Sequence, residues 1–188
     1  MHILITTCFI FFNITLYVFS AVFVFVVFTD IVAKFTTDAP FVPIPDNINN
    51  DIIKNLQLTD ESVLYDLGCG DARILKKATE TKPKIHAVGI EIALTPYLLA
   101  KYKTRKYKQI KIKRENIFQT DISEATHIFL YLYPEVVNRL IDNIKNQCIP
   151  GTRIVSCDFE IVSLMPAGII NLDNKKSKRG QKLFIYIL

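Results

Sequence analysis

The sequence contains few cysteines, and none of them lies near another. The four cysteines among its 188 residues are Cys8, Cys69, Cys148 and Cys157, with no C-x-x-C pair. Structural metal sites and disulfide-stapled secreted domains need cysteines in closely spaced pairs or at high density. We therefore expect no metal site and no disulfide framework, and the composition suits a reducing compartment.

Charged side chains are absent from residues 3–28, although the rest of the chain is rich in them. A helix of this length reaches about 39 Å, enough to cross a bilayer core of about 30 Å. A buried core helix normally keeps a polar stripe, and a cleaved signal peptide has a basic start and a shorter apolar run. We predict an uncleaved, single-pass transmembrane anchor over residues 1–29, crossing the bilayer through residues 3–28.

Lysine and arginine are also absent before the apolar run, whereas Lys34 follows it. By the positive-inside rule, this asymmetry favours a cytosolic location for the body of the chain. The residues after position 45 hold 22 basic and 16 acidic side chains, a net charge of +6. This modest excess suits an anionic membrane surface or an acidic partner and does not demand nucleic acid.

Strand-like and helix-like segments alternate after a proline-rich stretch. Asp46 is a predicted N-cap for an amphipathic helix over residues 47–57. The later segments alternate along the chain, with strands at 63–67, 85–92, 109–116, 126–133 and 152–161, helices at 71–81, 95–105 and 134–148, and two strands within 168–188. This order predicts an α/β fold with a doubly wound, seven-stranded, mostly parallel sheet and an antiparallel terminal hairpin.

The loop after the first strand has Gly-x-Gly at 68–70, between Asp66 and Asp71. A dinucleotide-binding fingerprint needs a third glycine at position 73, where this chain has Arg73. Acids at these positions repel a pyrophosphate and suit a cationic ligand such as S-adenosylmethionine, which carries an ammonium and a sulfonium. Glu91 ends the second strand, where an acid accepts hydrogen bonds from ribose hydroxyls.

In residues 40–161 the chain resembles the class I S-adenosylmethionine-dependent methyltransferases, and within them a family of protein lysine methyltransferases. The matching stretches are PFVPIP, LYDLGCGDARI, VGIEI, DISEAT and PGTRIVSCDFEI. That family includes broad-specificity archaeal enzymes and mitochondrial enzymes that methylate lysines of membrane proteins such as the ATP synthase c subunit. The resemblance implies a Rossmann-like methyltransferase domain over residues 46–188, S-adenosyl-L-methionine as cofactor and a protein lysine as acceptor. It also allows the mitochondrial matrix as the side on which the domain lies.

The resemblance further implies which residues bind the cofactor. They are Phe41, Pro43, Asp66, Leu67, Gly68, Cys69, Gly70, Glu91, Ile92, Asn116 and Ile117. Ala72 stands where the family usually has glycine, a change that is harmless if the helix starts here with an ordinary φ.

Methyl transfer to lysine requires alignment and an uncharged amine, with neither a metal nor a protein nucleophile. Tyr131 and Tyr133 are predicted on one side of the fourth strand, where they either direct the amine or serve as core packing. Asp158 and Glu160 are predicted on one face at the end of the fifth strand, either to attract the incoming ammonium or as solvated charges. We predict Tyr131 and Asp158 as the catalytic residues.

We predict a membrane-anchored methyltransferase that acts on lysines of a protein at the membrane surface. Residues 30–45 form a tether and a proline-rich cofactor-side segment. About a dozen residues separate the span from PFVPIP, a reach of at most ~40 Å that keeps the cofactor face near the bilayer. The basic turn at 175–179 is expected on the cofactor side, near anionic lipid headgroups. A methyltransferase acting on RNA or a small molecule, and a non-catalytic S-adenosylmethionine-binding scaffold, remain alternatives. The lack of an added substrate domain and of a basic patch interleaved with aromatic residues argues against nucleic acid.

Overall fold

The computed structural model describes residues 2–36, 42–175 and 177–188, with the side chains of residues 5–28 and 31 in the first helix. A short 3-10 helix at Asp46–Ile48 precedes α2. The elements, in chain order, are α1 (His2–Thr36), α2 (Asn49–Leu56), β1 (Val63–Leu67), α3 (Arg73–Thr81), β2 (His86–Ile90), α4 (Leu94–Thr104), β3 (Ile110–Lys113), β4 (His127–Leu130), α5 (Pro134–Gln147), β5 (Arg153–Cys157), β6 (Gly168–Asn171) and β7 (Lys182–Ile187).

The seven strands form one sheet in the order β3-β2-β1-β4-β5-β7-β6. The pairings from β3 to β5 are parallel, so that Asp66 of β1 lies beside Gly89 of β2 and Phe129 of β4. Strand β7 runs antiparallel between β5 and β6. The predicted doubly wound sheet, with an antiparallel hairpin at its end, is confirmed.

Apolar side chains cover both faces of the sheet. Leu64 and Phe129 point to the face covered by α2 and α3, and Leu67 and Leu130 point to the face covered by α5. Helix α5 buries an apolar stripe with helical spacing, made of Val136, Val137, Leu140, Ile141 and Ile144. Burying one such side chain contributes about 1.5–3 kcal/mol, so this stripe accounts for the docking of α5.

Two predicted helix starts need correction. Asp46 does not cap α2 with its side chain; its carboxylate instead accepts a hydrogen bond from Arg73. Helix α3 begins at Arg73, not at residue 71, because Ala72 before it adopts a left-handed φ of 60°. Residues 68–72 therefore form an irregular loop that leads from β1 to the helix.

Four predicted strands end earlier than expected, and β2 ends at Ile90 and β3 at Lys113. Strand β4 ends at Leu130 and β5 ends at Cys157, as their registered pairing shows. Tyr131, Tyr133 and Asp158 therefore lie in connections beyond the strand ends, where the chain leaves the sheet. They gather at the edge at which ligands bind in folds of this class.

Helix α1 is long and apolar enough to cross a membrane. Its candidate span, Ile5–Phe28, has a mean hydropathy of 2.4, and none of it is buried against the rest of the chain. The helix continues to Thr36, so the first part of the predicted tether is helical. Helix α1 also contacts α4.

Candidate active site

A cavity of about 860 Å³ opens at the carboxyl edge of the parallel strands. Cavities of 300–1,000 Å³ commonly hold small-molecule ligands. The predicted residues that line it are Pro43, Asp66, Gly68, Cys69, Gly70, Glu91, Ile92, Asn116, Ile117, Tyr131 and Asp158. Leu67 does not line the cavity, because its side chain is buried in the core on the α5 side of the sheet. Phe41 lies outside the described residues.

Asp66 is a buried carboxylate on the wall of this cavity. Burial, together with the charges of Glu91 and Asp71, raises the pKa of Asp66 to about 8. Among the described residues, no side chain or amide donates a hydrogen bond to it. A buried acid without a donor is costly to ionise, and a cationic ligand would remove that cost. Asp66 is thus suited to a ligand with an ammonium or sulfonium group.

The amide groups of the glycine loop point toward the protein. The N–H groups of Gly68 and Cys69 both donate to the carbonyl of Ile90, at 2.9 Å. The N–H of Gly70 donates to Oε2 of Glu91, at 3.0 Å. A phosphate cradle needs such amides free and convergent on the ligand. The amides of this loop are not free to bind a phosphate, and the loop can therefore carry acids that would repel one.

Glu91 ties the glycine loop to the end of β2. Its Oε2 accepts the bond from Gly70, and its Oε1 accepts a bond of 2.8 Å from the amide of Ala93. Burial raises the pKa of Glu91, although these backbone bonds oppose the shift. Each carboxylate oxygen has a second acceptor position. The predicted role of Glu91 in holding two ribose hydroxyls is compatible with this arrangement and stays a prediction.

Glycine is required at position 68. The φ of Gly68 is +82°, and a Cβ atom there would lie 3.0 Å from Cδ2 of Leu132. The loop thus needs both the unusual φ and the close approach of the backbone to the cavity wall. The condition under which alanine at position 72 is harmless is not met, since the φ of Ala72 is 60° and the residue is fully buried. A left-handed φ costs an alanine roughly 1–2 kcal/mol.

Asp71 does not face the ligand as an open charge. Its carboxylate receives two bonds of 2.9 Å from Arg73 and one of 2.6 Å from Nζ of Lys103. Burial acts to raise the pKa of Asp71, but the bonds from Arg73 and Lys103 outweigh it and hold the pKa below its ordinary value. The sequence-based interpretation of Asp71 as a ligand-facing acid is therefore corrected.

Arg73 also fixes the segment before α2. Its Nη1 donates to the carbonyl of Ile44 at 2.7 Å and to Oδ1 of Asp46 at 2.9 Å. The residues held in this way, Val42, Pro43 and Ile44, line the cavity. The sequence pattern marks Arg73 only as the residue in place of a third glycine. An arginine two residues after a buried acid was the available signal.

Aromatic rings line the part of the cavity beyond β4 and β5. The rings of Tyr131 and Tyr133 both contact Phe159, with centroids 6.2 Å and 5.7 Å away. Burial raises the pKa of Tyr131 to about 12, with a further contribution from Asp158. Tyr131 therefore keeps its proton at neutral pH. Phe159 was not predicted, although it lies in a stretch that carried the resemblance.

Asp158 anchors the β6–β7 connection through its carboxylate. Oδ2 accepts a bond of 2.6 Å from the amide of Gly180, and Oδ1 accepts bonds of 2.6 and 3.2 Å from Gln181 and Lys182. Asp158 lines the cavity, with a φ of 64°. Glu160 is exposed and lies outside the cavity wall, so the two acids do not form the predicted pair.

Asn116 and Ile117 lie in the connection after β3, where the resemblance places the adenine. Oδ1 of Asn116 accepts a bond of 3.0 Å from the amide of Phe118, and Asn116 lines the cavity together with the apolar residues Ile92 and Ile117. An amide beside apolar side chains is suited to a base, and the contact with adenine stays a prediction.

Comparisons with known proteins identify the family of this chain. The model of the ANTKMT methyltransferase domain matches residues 66–168. A protein-lysine N-methyltransferase of Saccharolobus islandicus (strain REY15A) is 29% identical over 158 residues, which are 82% of this chain and 97% of that protein.

Solved structures share the fold. An RNA methyltransferase from Salinibacter ruber, crystallised with S-adenosyl-L-homocysteine, is 30% identical with a TM-score of 0.71, over 78% of this chain and 93% of that chain. A precorrin-6y C5,15-methyltransferase from Geobacter metallireducens has a TM-score of 0.64 at 15% identity, over 81% and 92% of the two chains. The second likeness supports the fold alone.

Proposed function

Because the chain belongs to the ANTKMT methyltransferase family, we propose that it methylates lysine side chains of a protein held at a membrane surface. The use of S-adenosylmethionine is supported by the family and by the Salinibacter ruber relative, which was crystallised with S-adenosyl-L-homocysteine. Two features of the function are proposed here, namely the lysine acceptor and the location at a membrane. The observation that carries the acceptor is the group of three aromatic rings beside the cofactor part of the cavity.

The residues of the cavity fit S-adenosylmethionine. Asp66 would hold the cationic methionine end, Glu91 the ribose, and Asn116 with Ile117 the adenine. The carboxylate of Asp66 supports this fit, because no donor of the described residues bonds to it and a cationic ligand would compensate its buried charge. When bound, the cofactor supplies a methyl group on a positively charged sulfur, which an uncharged amine attacks in line.

Tyr131, Tyr133 and Phe159 are suited to an incoming lysine. Aromatic rings bind the aliphatic stem of lysine and attract its ammonium by cation–π interaction. A lysine with a pKa near 10.4 must lose its proton, at a cost of roughly 4–5 kcal/mol at neutral pH. Removal of water between the rings lowers that cost, and the neutral hydroxyl of Tyr131 can accept a hydrogen bond from the amine. We propose Tyr131 as the residue that orients the acceptor.

Asp158 has a structural role in the acceptor site in addition to the predicted attraction of the ammonium. Three backbone amides use most of the acceptor capacity of its carboxylate. Its negative charge still lies on the cavity wall near Tyr131, where it favours an approaching ammonium. We propose that Asp158 attracts the acceptor while it holds the β6–β7 connection in place.

Features of α1 support a location at the membrane. Asn13 and Thr15, two polar side chains inside the candidate span, bond to the carbonyls of Phe9 and Phe11 in their own helix. Polar groups satisfied in this way are tolerated in a bilayer. Lys34 follows the span, so we propose that the catalytic domain lies on the cytosolic or matrix side.

A second candidate is a methyltransferase that acts on RNA. The Salinibacter ruber relative, 30% identical to this chain, is described as an RNA methyltransferase. Both candidates use the same cofactor site and differ only in the acceptor. The identity of the labelled molecule therefore separates them.

The test supplies the purified full chain with methyl-labelled S-adenosylmethionine, membranes and total RNA of the host. Asp66→Asn removes the buried charge, and Asp51→Asn, at an exposed position on α2, is the matched control. We expect label on lysines of a membrane protein with the native chain and with Asp51→Asn, and none with Asp66→Asn. Label in RNA would support the second candidate instead.

The membrane anchor is tested separately by alkaline carbonate extraction of membranes that contain the native chain. Resistance of the native chain to this extraction would support the anchor, and its release would contradict it.

A further inference from the structure

The connection between β6 and β7 forms one wall of the cavity, and hydrogen bonds hold it in place. Nδ2 of the buried Asn174 donates to the carbonyl of Arg179 at 2.6 Å. The side chain of Gln181 donates back to the carbonyl of Asn174 at 3.0 Å. Asp158 binds the amides of Gly180 and Gln181 from the other side. The described residues of this connection, 172–175 and 177–181, together with Lys182 at the start of β7, are called the rim loop.

The rim loop presents cations to the cavity. Lys178, Arg179 and Lys182 are exposed and line the cavity wall. Within the described part of the chain, none of the three forms a salt bridge with an acid. Asp158 bonds to backbone amides of the same loop and keeps its negative charge, which offsets part of this positive charge. The three cations outnumber it on this wall, so a net positive charge is left for a molecule that enters the cavity.

The cations lie at the acceptor end of the cavity. The charges of Asp158 and Arg179 both act on the hydroxyl of Tyr131, the residue that faces the acceptor in the proposed function, and the effect of Asp158 is the larger. A lysine arrives as a cation, and like charges at short range disfavour its approach. An acid next to that lysine makes the electrostatic interaction with the rim loop favourable, because the acid pairs with the loop while the lysine enters between the rings.

We propose that the rim loop selects acceptor lysines that have Asp or Glu beside them in the target. This inference rests on the proposed lysine acceptor and adds a rule for its surroundings. Adjacent residues in an extended peptide lie about 3.3–3.6 Å apart along the chain. An acid one or two positions from the lysine thus reaches Lys178 or Arg179 at the mouth of the cavity. After the acid pairs with the loop, the remaining cation near the amine also favours its uncharged form.

The test uses three peptides, each with a single lysine that is flanked by two glutamates, two glutamines or two arginines. The full chain, in neutral detergent micelles at low salt, is assayed with each peptide, and kcat/KM for methylation is measured. We expect the glutamate peptide to exceed the glutamine peptide by about fivefold and the arginine peptide by more, from two exposed ion pairs. The preference should shrink at about 0.5 M salt, because exposed charges are then screened.

The double variant Lys178→Glu/Arg179→Glu tests the loop directly. It should prefer the arginine peptide, a gain of activity that misfolding cannot produce. The double variant Lys54→Glu/Lys108→Glu changes the net charge equally at exposed positions outside the cavity and should keep the native order.

Equal rates on the three peptides, or an unchanged preference in the rim-loop variant, would overturn this inference and leave lysine methylation intact. A preference that arises only when anionic phospholipid vesicles are added would also overturn it, because the loop would then recognise lipid. Label in RNA with none in any peptide would instead overturn the proposed function itself.

Discussion

The guanidinium of Arg73 forms a two-point ion pair with the carboxylate of Asp71, with both N–O distances at 2.9 Å. The third nitrogen of the same group reaches the carbonyl of Ile44. One side chain therefore connects the glycine loop to the segment that closes the cavity from the amino-terminal side. In a dinucleotide-binding protein, glycine at this position serves close helix–strand packing. Here the position serves to hold two walls of the cavity together.

Arg73→Lys should weaken cofactor binding. Lysine keeps the charge but cannot bond to Asp71, Ile44 and Asp46 at once, because it lacks the planar fork of arginine. We expect the Kd for S-adenosylhomocysteine, measured by calorimetry, to rise about tenfold, which corresponds to the loss of roughly one charged hydrogen bond. Arg105→Lys, on the exposed end of α4, is the control and should leave the Kd unchanged. An unchanged Kd in Arg73→Lys would show that the segment stays in place without the fork.

The strained φ of Ala72 gives a second prediction. Ala72 and Ala78 are both fully buried beside the same face of the sheet, but only Ala78 lies within a regular helix. Changing either to glycine removes one buried methyl group and adds the same freedom to the unfolded chain. Glycine at position 72 also relieves the left-handed strain. We expect Ala72→Gly to be less destabilising than Ala78→Gly by about 1–2 kcal/mol in urea unfolding. Equal losses would mean that the left-handed φ costs nothing.

Tyr131 and Tyr133 allow a matched test of the acceptor site. Both rings contact Phe159, but the hydroxyl of Tyr131 lies in a more buried environment, which raises its pKa to about 12. Tyr131→Phe keeps the ring and removes only the hydroxyl. We expect kcat for methylation of a lysine peptide to fall about tenfold, the loss of roughly one hydrogen bond made in the transition state. Tyr133→Phe should change kcat by less than about twofold, because Tyr133 is more exposed. The affinity for S-adenosylhomocysteine should be unaffected in both variants, and equal losses of kcat would contradict this role for Tyr131.

The sheet was predictable because each strand has a local sequence pattern that is typical of a strand. Strand β1 was predicted with its bounds, since the apolar run at 63–67 lies between polar residues and a glycine loop. The end of β4 was not, because the aromatic residues at 131–133 continue the apolar pattern after the strand pairing stops. A hydrophobic pattern does not reveal where strand pairing ends, and β4 stops at Leu130, which pairs with Leu67 of β1 and Ser156 of β5.

The cofactor residues were predictable for a similar reason, and their interactions were not. The order of Asp66, the glycine loop and Glu91 indicates the class of ligand. The pairing of Asp71 with Arg73 and Lys103 depends on α3 and α4 lying side by side, which no local pattern specifies. The same holds for Asp158, whose partners come from a loop more than 20 residues later. Tertiary contacts thus decide which acids face the ligand.

The buried charge of Asp66 should make the ligand-free protein less stable as pH rises. Its pKa is about 8 in the folded chain, against about 3.9 in an unfolded one, so the folded state binds more protons between these values. The resulting stabilisation is fully present below about pH 4 and is lost as pH rises to about 8. Asp66→Asn removes this dependence. We therefore expect the variant to be more stable than the native chain at pH 8 and similar to it near pH 4.

Urea unfolding of the ligand-free chain across this pH range measures the difference, with Asp51→Asn as a control that should follow the native curve. Calorimetry adds the functional half of the prediction. The affinity of the native chain for S-adenosylmethionine should rise with pH up to about 8, because the cation requires the ionised carboxylate, and Asp66→Asn should bind weakly at every pH. If Asp66→Asn were instead less stable than the native chain at pH 8, Asp66 would have a donor within the fold, and its role as the acid awaiting a cation would be wrong.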